Sequence, residues 1–497
     1  MKRSLDGFPK IEVNTQRKEG KALKKEFFRK ERDLLGEEAI PENAYWGVHS
    51  KRARDNFPFS KKVPPSLVKA YFAVKWACTR ANLEVGLLEA KIGNAILKAC
   101  EEGMEGKFNE EVIVPIFQGG AGTSLNMNIN EIIANRALEI LGYSKGNYQK
   151  INPFDHVNLS QSTNDTFMTA VKVATLWQLD ELEKEIINLQ ETLQQKEKEF
   201  ASVLKVGRTE LQDAVPITLG MEFGAFAEAI ARDRWRLWKS RERIKEVNLG
   251  GTAVGTGLNA HPEYIARAIV HLNEISGLPL AKAMNLFENT QNLDVFSEVS
   301  GLLRSLAVNL RKIANDLRLL SMGPRAGISE ISLPALQEGS SIMPGKVNPV
   351  MCEYIEGIAI DVMGKDQAIA FSCSSGQLEL NHLGPFIAAH ILEMIEELKL
   401  GINAFTEKCL RGIRANQERC NELLEKSFAL ATCIVPYLGH ERTSELVQKC
   451  LREGKNFRDF LIEQKIFSEE ELKNILNPLE ISRPGIPGFG KVEVKRL

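Results

Sequence analysis

Between Gly339 and Pro349 the chain reads Gly-Ser-Ser-Ile-Met-Pro-Gly-Lys-Val-Asn-Pro, gathering two adjacent hydroxyls, an ammonium and a carboxamide around a Gly-Ser turn. A core has no use for so many polar groups, and a solvated loop seldom carries Met-Pro among them. As chemistry the set is coherent: Lys346 and Asn348 can grip a carboxylate while a nearby serine handles a proton. A serine acts as base only if its alkoxide is stabilised, here by Lys346 and neighbouring backbone N–H groups.

Three further clusters could supply donors. In Gly120-Ala121-Gly122-Thr123-Ser124-Leu125-Asn126-Met127-Asn128 the glycines let backbone N–H groups approach a ligand, and Thr123 and Asn126 add side-chain donors. Thr123 or Ser124 alone would suit a helix N-cap, but Asn126, Asn128 and Asn130 alternating with apolar residues ask for more. Ser160-Gln161-Ser162-Thr163-Asn164-Asp165 places six polar residues before the longest helical pattern, where one caps and the rest converge on a ready anion site. In Gly207-Arg208-Thr209-Glu210-Leu211-Gln212-Asp213, Arg208 and Asp213 read as a structural ion pair and Thr209 as a substrate contact. The glycine-rich Gly250–Gly257 stretch lacks the spacing and the βαβ setting of a dinucleotide fold, and Pro344-Gly345-Lys346 is no P-loop. Hydroxyls, amides, N–H groups and one lysine suit a small dianion whose charge grows during reaction. Proton removal beside a carboxylate makes such a species, an aci-carboxylate, and preorganised donors favour it over the ground state.

The elements that must position these groups are long helices. From Thr166 to Phe200 the residues Leu179, Leu182, Ile186, Leu189 and Leu193 alternate three and four apart, a heptad seam with Asn164 and Asp165 as candidate caps. Similar segments run over Ile217–Val247, Leu293–Leu320, Pro349–Phe371 and Pro385–Leu410. Five such helices predict an elongated bundle that buries more surface against copies of itself, a homo-oligomer. Before Ser162 the pattern mixes short helices with turn-rich pieces. After Gly412 a small helical tail is expected, with NELLEKSFALATCIV and SELVQKCLREG as its clearest helices and an irregular end. A basic, flexible tail is expected over residues 1–31.

Composition excludes several classes. A net charge of −1 argues against nucleic-acid binding. No apolar run approaches the ~20 residues that span a bilayer, and the basic start lacks the apolar region of a secretory signal. Eight cysteines scattered singly read as reduced thiols of a cytoplasmic protein, and no H-E-x-x-H or C-x-x-C suggests a metal. No cofactor is expected.

The blocks GGAGTS-NMN, DHVN-SQSTND, GRT-LQDAVP-TLG-EF, GGTA-GTGLN, NDLRLLS-GPRAG-EI-LP and GSSIMPGKVNPVM-E, from about Arg32 to about Pro478, resemble the aspartase/fumarase superfamily. The resemblance implies a mostly α, three-domain fold. Its N-terminal domain would cover 32–161, a central five-helix bundle 162–411, and a small helical domain 412–497. The bundle would form a tetramer in which three subunits share each active site. Gly120-Ala121-Gly122-Thr123, Gln161-Ser162-Thr163-Asn164-Asp165, Asn348-Pro349-Val350-Met351 and Gly376-Gln377-Leu378-Glu379-Leu380-Asn381 are closer to aspartases than to class II fumarases. Asn152-Pro153-Phe154-Asp155 also lacks the fumarases' second anion motif. The implied reaction is elimination of ammonia from L-aspartate to give fumarate. A fumarate hydratase and a catalytically silent relative remain the alternatives.

By the same resemblance, Ser340 would take the C3 proton. Thr123, Ser162, Thr163 and Ser341 would hold the β-carboxylate, Lys346, Asn348 and Thr209 the α-carboxylate, and Asn164 would face the amine. One departure stands out. Glu210 occupies a position where the family has His or Gln, and there it would either repel fumarate or attract an ammonium. Met168 and Met221 replace family Pro and Gln.

Overall fold

The computed structural model describes residues 27–59 and 61–495; the basic stretch before Phe27 lies outside the described residues. The last residues of the expected tail belong instead to a hairpin of β1 (Phe28–Asp33) and β2 (Gly36–Pro41). The cause is an alternating pattern. Arg29 and Glu31 face inward, joined by a 2.8 Å ion pair, and the Arg29 guanidinium also donates to the carbonyls of Ala44 and Trp46.

Four helices follow: α1 (Val48–Asn56), α2 (Pro65–Glu84), α3 (Ala90–Met104) and α4 (Thr123–Ile140). Three of these are longer than the short helices the sequence suggested. Both α2 and α4 are buried on nearly every face, so no amphipathic stripe marks their length.

Then come α5 (Thr163–Glu199), β3 (Leu204–Thr209), β4 (Gln212–Thr218) and α6 (Leu219–Ile244). The two strands form an antiparallel hairpin in which Thr209 pairs with Gln212. Its two tip residues, Glu210 and Leu211, take φ of 53° and 62°, the left-handed pair that a two-residue reversal between twisted strands requires. Ile217 and Thr218 therefore complete a strand, and α6 starts two residues later than its apolar pattern suggests.

The chain continues through α7 (Pro262–Ser276), α8 (Leu286–Gln291), α9 (Asp294–Leu320), α10 (Val350–Cys373) and α11 (Gly384–Lys408). Helices α5, α6, α9, α10 and α11 pack on one another as a five-helix bundle. The seam residues Leu179, Leu182, Ile186, Leu189 and Leu193 are all fully buried. Successive helices alternate in direction, and single contacts fix the ends. Asn248, after α6, donates to the Asn164 carbonyl at the start of α5, and Cys373 at the end of α10 donates to Leu293 before α9. At the opposite end Lys196, late in α5, donates to the Ile413 carbonyl after α11.

Beyond the bundle lie α12 (Gln417–Lys426), α13 (Ala429–Leu438), α14 (His440–Glu453) and shorter helical turns. The run expected as one helix breaks at Ser427, whose hydroxyl donates to the Leu424 carbonyl and accepts from the Ala429 N–H, offering the backbone an alternative to helix. Residues from Leu430 to Val492 pack a core of their own, while the larger core runs unbroken from α1 through the bundle. No helix among the described residues is long and apolar enough to cross a membrane.

Gly122, the residue before α4, has φ of 97°, and a Cβ there would sit 2.3 Å from the Phe167 ring on α5. Gly122→Ala is expected to destabilise the fold by on the order of 2–4 kcal/mol, read as a lowered urea midpoint, because left-handed strain adds to overpacking.

Candidate active site

The first polar cluster turns the chain into α4 and the second turns it into α5, and the two face each other. Ser162 caps α5: its Oγ accepts from the Asn164 N–H at 3.2 Å, while Asp165 Oδ1 accepts from the Ser162 N–H at 3.0 Å. Asn164 and Asp165 were the expected caps. Instead Ser162 caps, Asp165 closes the reciprocal bond, and Asn164 sits inside the first turn with its Nδ2 donating to the Ala253 carbonyl at 2.7 Å. The second Asp165 oxygen accepts from the N–H groups of Gly250 and Thr252, at 3.0 and 3.1 Å. One buried carboxylate thus ties the start of α5 to the glycine-rich 250–257 stretch. That stretch is the far wall of an open cleft of about 670 Å³, lined by Thr123, Asn126, Ser162 and Thr163 on one side and by Thr252, Ala253 and Thr256 on the other. Its glycines serve close packing, since a Cβ on Gly255 would lie 2.3 Å from the Phe287 Cα. The dipole at the start of α5 favours an anion in this cleft.

Beneath the cleft lies a residue that sequence reasoning missed. Lys75, in the apolar run of α2, is fully buried. Its ammonium donates to Asn158 Oδ1 at 2.9 Å and to Gln161 Oε1 at 2.8 Å. Asn126 and Asn130 also donate to Asn158 Oδ1, each at 3.2 Å, and Asn126 donates to Thr163 Oγ1 at 3.0 Å. Asn128 turns away and bonds the backbone of Ile113 and Glu111. Burial pulls the Lys75 ammonium down to about 8 and pushes the Asp165 carboxyl up to about 6. The alternating asparagines were a visible signal; a lysine among Tyr71, Phe72 and Val74 carried none.

The other two clusters lie at the far end of the bundle. Thr209 and Glu210 are exposed at the β3–β4 tip, which follows the C-terminal end of α5. With 37 residues, α5 separates them from Ser162 by about 55 Å. Ser340, Ser341 and Lys346 line a second open cleft of about 660 Å³ formed by residues 335–347. Two bonds from Gly339 close this loop, its N–H donating to the Lys346 carbonyl and its carbonyl accepting from Asn348 Nδ2 at 2.7 Å. The Ser340 Oγ accepts from the N–H groups of Ile342 and Met343, at 3.2 and 3.1 Å. Two donors thus face the oxygen that would carry charge as an alkoxide. Arg208 forms the expected ion pair with Asp213, though a long one at 3.9 Å, with the Asp213 carboxylate exposed. Arg208 also bonds both oxygens of the buried Glu330 at 3.0 Å, and Lys205 bonds the same carboxylate at 3.0 Å. This network pins the hairpin to the segment that leads into the serine loop. One chain therefore brings Thr123, Ser162, Thr163 and Asn164 together, and holds Ser340, Ser341, Lys346, Asn348, Thr209 and Glu210 apart from them.

Residues 36–364 match the family model described as Lyase, and residues 430–483 the one described as Fumarase C C-terminus. An aspartate ammonia-lyase from a Bacillus species is 49% identical over 459 residues, covering 92% of this chain and 98% of that protein. Among solved structures, a fumarate lyase:delta crystallin from Brucella melitensis superposes with a TM-score of 0.89 at 45% identity, over 92% of this chain and all of that one. A class II fumarase from Schistosoma mansoni gives a TM-score of 0.87 at 33% identity, with the same coverage.

The Asp165 carboxyl binds its proton more tightly in the folded chain than at its ordinary value of 3.8. Its contribution to stability is therefore fully present below about pH 4 and lost as pH rises through about 6. Asp165→Asn, which cannot titrate, should lack that slope in urea unfolding between pH 4 and 6. It should also cost about 1–3 kcal/mol at neutral pH, because an amide cannot accept all three N–H groups.

Proposed function

The chain belongs to the aspartase/fumarase superfamily, and we propose that it is an aspartate ammonia-lyase, a carbon–nitrogen lyase that reversibly eliminates ammonia from L-aspartate to give fumarate. The observation that carries this reading is 49% identity to an aspartate ammonia-lyase against 33% to a class II fumarase, each over 92% of the chain. The reaction takes place in the cytoplasm, a setting that suits eight unpaired thiols.

In the proposed mechanism Ser340 takes a proton from C3 of L-aspartate, and the N–H groups of Ile342 and Met343 stabilise its alkoxide. The β-carboxylate then takes on the aci charge, held by Thr123, Ser162, Thr163, Ser341 and the dipole of α5. Lys346, Asn348 and Thr209 hold the α-carboxylate. Asn164 faces the amine: its Nδ2 is engaged by Ala253, which leaves its carbonyl oxygen to accept from the substrate ammonium. Glu210 adds a carboxylate on the amine side that attracts the same cation. Its exposed place on the hairpin tip is compatible with reaching into a neighbouring copy. The separation of the serine loop and the hairpin from the first cleft supports a homotetramer whose active sites each draw on three subunits. Antiparallel neighbours would bring opposite bundle ends together.

Purified protein given L-aspartate should raise the ultraviolet absorbance of fumarate, and L-malate should not; fumarate from malate alone would overturn the substrate assignment. Ser340→Ala should lower kcat by about 10²–10⁴-fold, the usual contribution of a positioned base. Mixing and refolding equal amounts of Ser340→Ala and Thr163→Val chains should restore about a quarter of the wild-type rate, since in a shared site one intact subunit must supply each half. No recovery would place both residues on one chain's own site.

A further inference from the structure

The direction of a hydroxyl proton can be read from the bonds behind it. An ammonium only donates, so Lys75 makes the Asn158 Oδ1 an acceptor. An acceptor there can face only the amino group of Asn126, not its carbonyl. The second N–H of that amino group donates to Thr163 Oγ1 at 3.0 Å. The Thr163 oxygen is thereby used as an acceptor, and its proton turns away from Asn126 toward the cleft that Thr163 lines. The constraint is passed from a buried cation to the cleft wall: Lys75 and Asn126 both donate to Asn158 Oδ1, and the remaining N–H of Asn126 points on to Thr163. Asn158 cannot rotate out of it, because its Nδ2 donates to the Gln161 carbonyl and Asn130 donates to the same Oδ1.

We propose that Asn126 is a positioning residue that fixes the Thr163 hydroxyl as a donor aimed at the substrate carboxylate. The inference rests on the reading of Thr163 as a carboxylate contact. Asn126 need not touch substrate to act. By denying the hydroxyl its alternative partner it removes the reorganisation that a free rotor would need when the carboxylate becomes the aci form, and donors preset in this way act mainly on the transition state. The effect belongs in kcat rather than in KM.

The test compares two substitutions at Asn126, each alone and combined with Thr163→Val. Asn126→Ala leaves the hydroxyl free to rotate and should lower kcat by about 10-fold, with KM within about 3-fold. Asn126→Asp keeps the shape but turns the donor into an acceptor that draws the Thr163 proton away from the cleft. It should lower kcat by about 10²–10³-fold, on the scale of losing a donor to a developing oxyanion. Asp also loses the bond to Asn158, so the Thr163→Val background, which isolates the part of the loss that acts through the hydroxyl, separates positioning from packing. In the Thr163→Val background the Asp change should add less than about 3-fold, because the hydroxyl it acts through is gone. Additive losses, or Asp milder than Ala, would overturn the proposal. Thr163→Val with unchanged kcat would instead overturn the underlying assignment of Thr163, so the two failures read differently. Circular dichroism and urea midpoints confirm that each variant folds. If Asn126→Asp does not fold, additivity of Asn126→Ala with Thr163→Val decides the question alone.

Discussion

The rise of an α-helix is set by its hydrogen bonds at about 1.5 Å per residue, and the placement of every candidate site group follows from that rigidity. An unbroken helix of 37 residues runs from Ser162 to the hairpin that carries Thr209. The remaining bundle helices alternate in direction beside it, so the connections between them collect at two ends. The turns before α4 and α5 and the 250–257 stretch fall at one end, and the β3–β4 hairpin and the serine loop at the other. No local rearrangement shortens that separation, because bending α5 would break backbone bonds and expose a fully buried leucine seam. The proposed mechanism draws on groups from both ends, and this separation is what supports the proposal that more than one copy of the chain builds each site.

Within each end, order is imposed by a few buried charges. Asp165 gathers three backbone N–H groups from two segments far apart in sequence. Glu330 gathers Arg208 and Lys205 and holds the hairpin against the chain leading to Ser340. Lys75 orients the amides under the first cleft. Burying a charge is costly, and each of these is held by at least two hydrogen bonds or ion pairs rather than one. Such groups specify geometry more than they add stability, since apolar packing would serve stability as well. Their positions beneath or beside the candidate contacts are consistent with a rigid, preorganised cleft.

Legibility in the sequence tracked how local the determining physics was. The seam from Leu179 to Leu193 announced α5, and the bundle helices α9, α10 and α11 begin and end within about three residues of their apolar patterns, because burial on one face writes a period into the sequence. Helices α2 and α4 were underestimated, because burial on all faces erases the period. The break at Ser427 and the strand ending at Thr218 were hidden inside apolar runs that suit either state. At the site, the polar clusters were visible as residue types out of place. Arg208 was matched to Asp213 by proximity in sequence, a pair it does form at 3.9 Å, while its closer partner Glu330 lies 122 residues away.

By itself the sequence determined which side chains can act: a serine loop with a lysine and an asparagine, hydroxyls at a helix start, and the long seams that demand a bundle. Those are consequences of chemical type and periodicity, which a chain carries without folding. Only the tertiary structure decided which groups meet. It placed Lys75 under Asn158, gave the 250–257 stretch a place as a cleft wall, and set Ser340 and Thr163 at opposite ends of one chain. Contacts between distant segments are selected by the packing of the whole core, and no local run of residues records them.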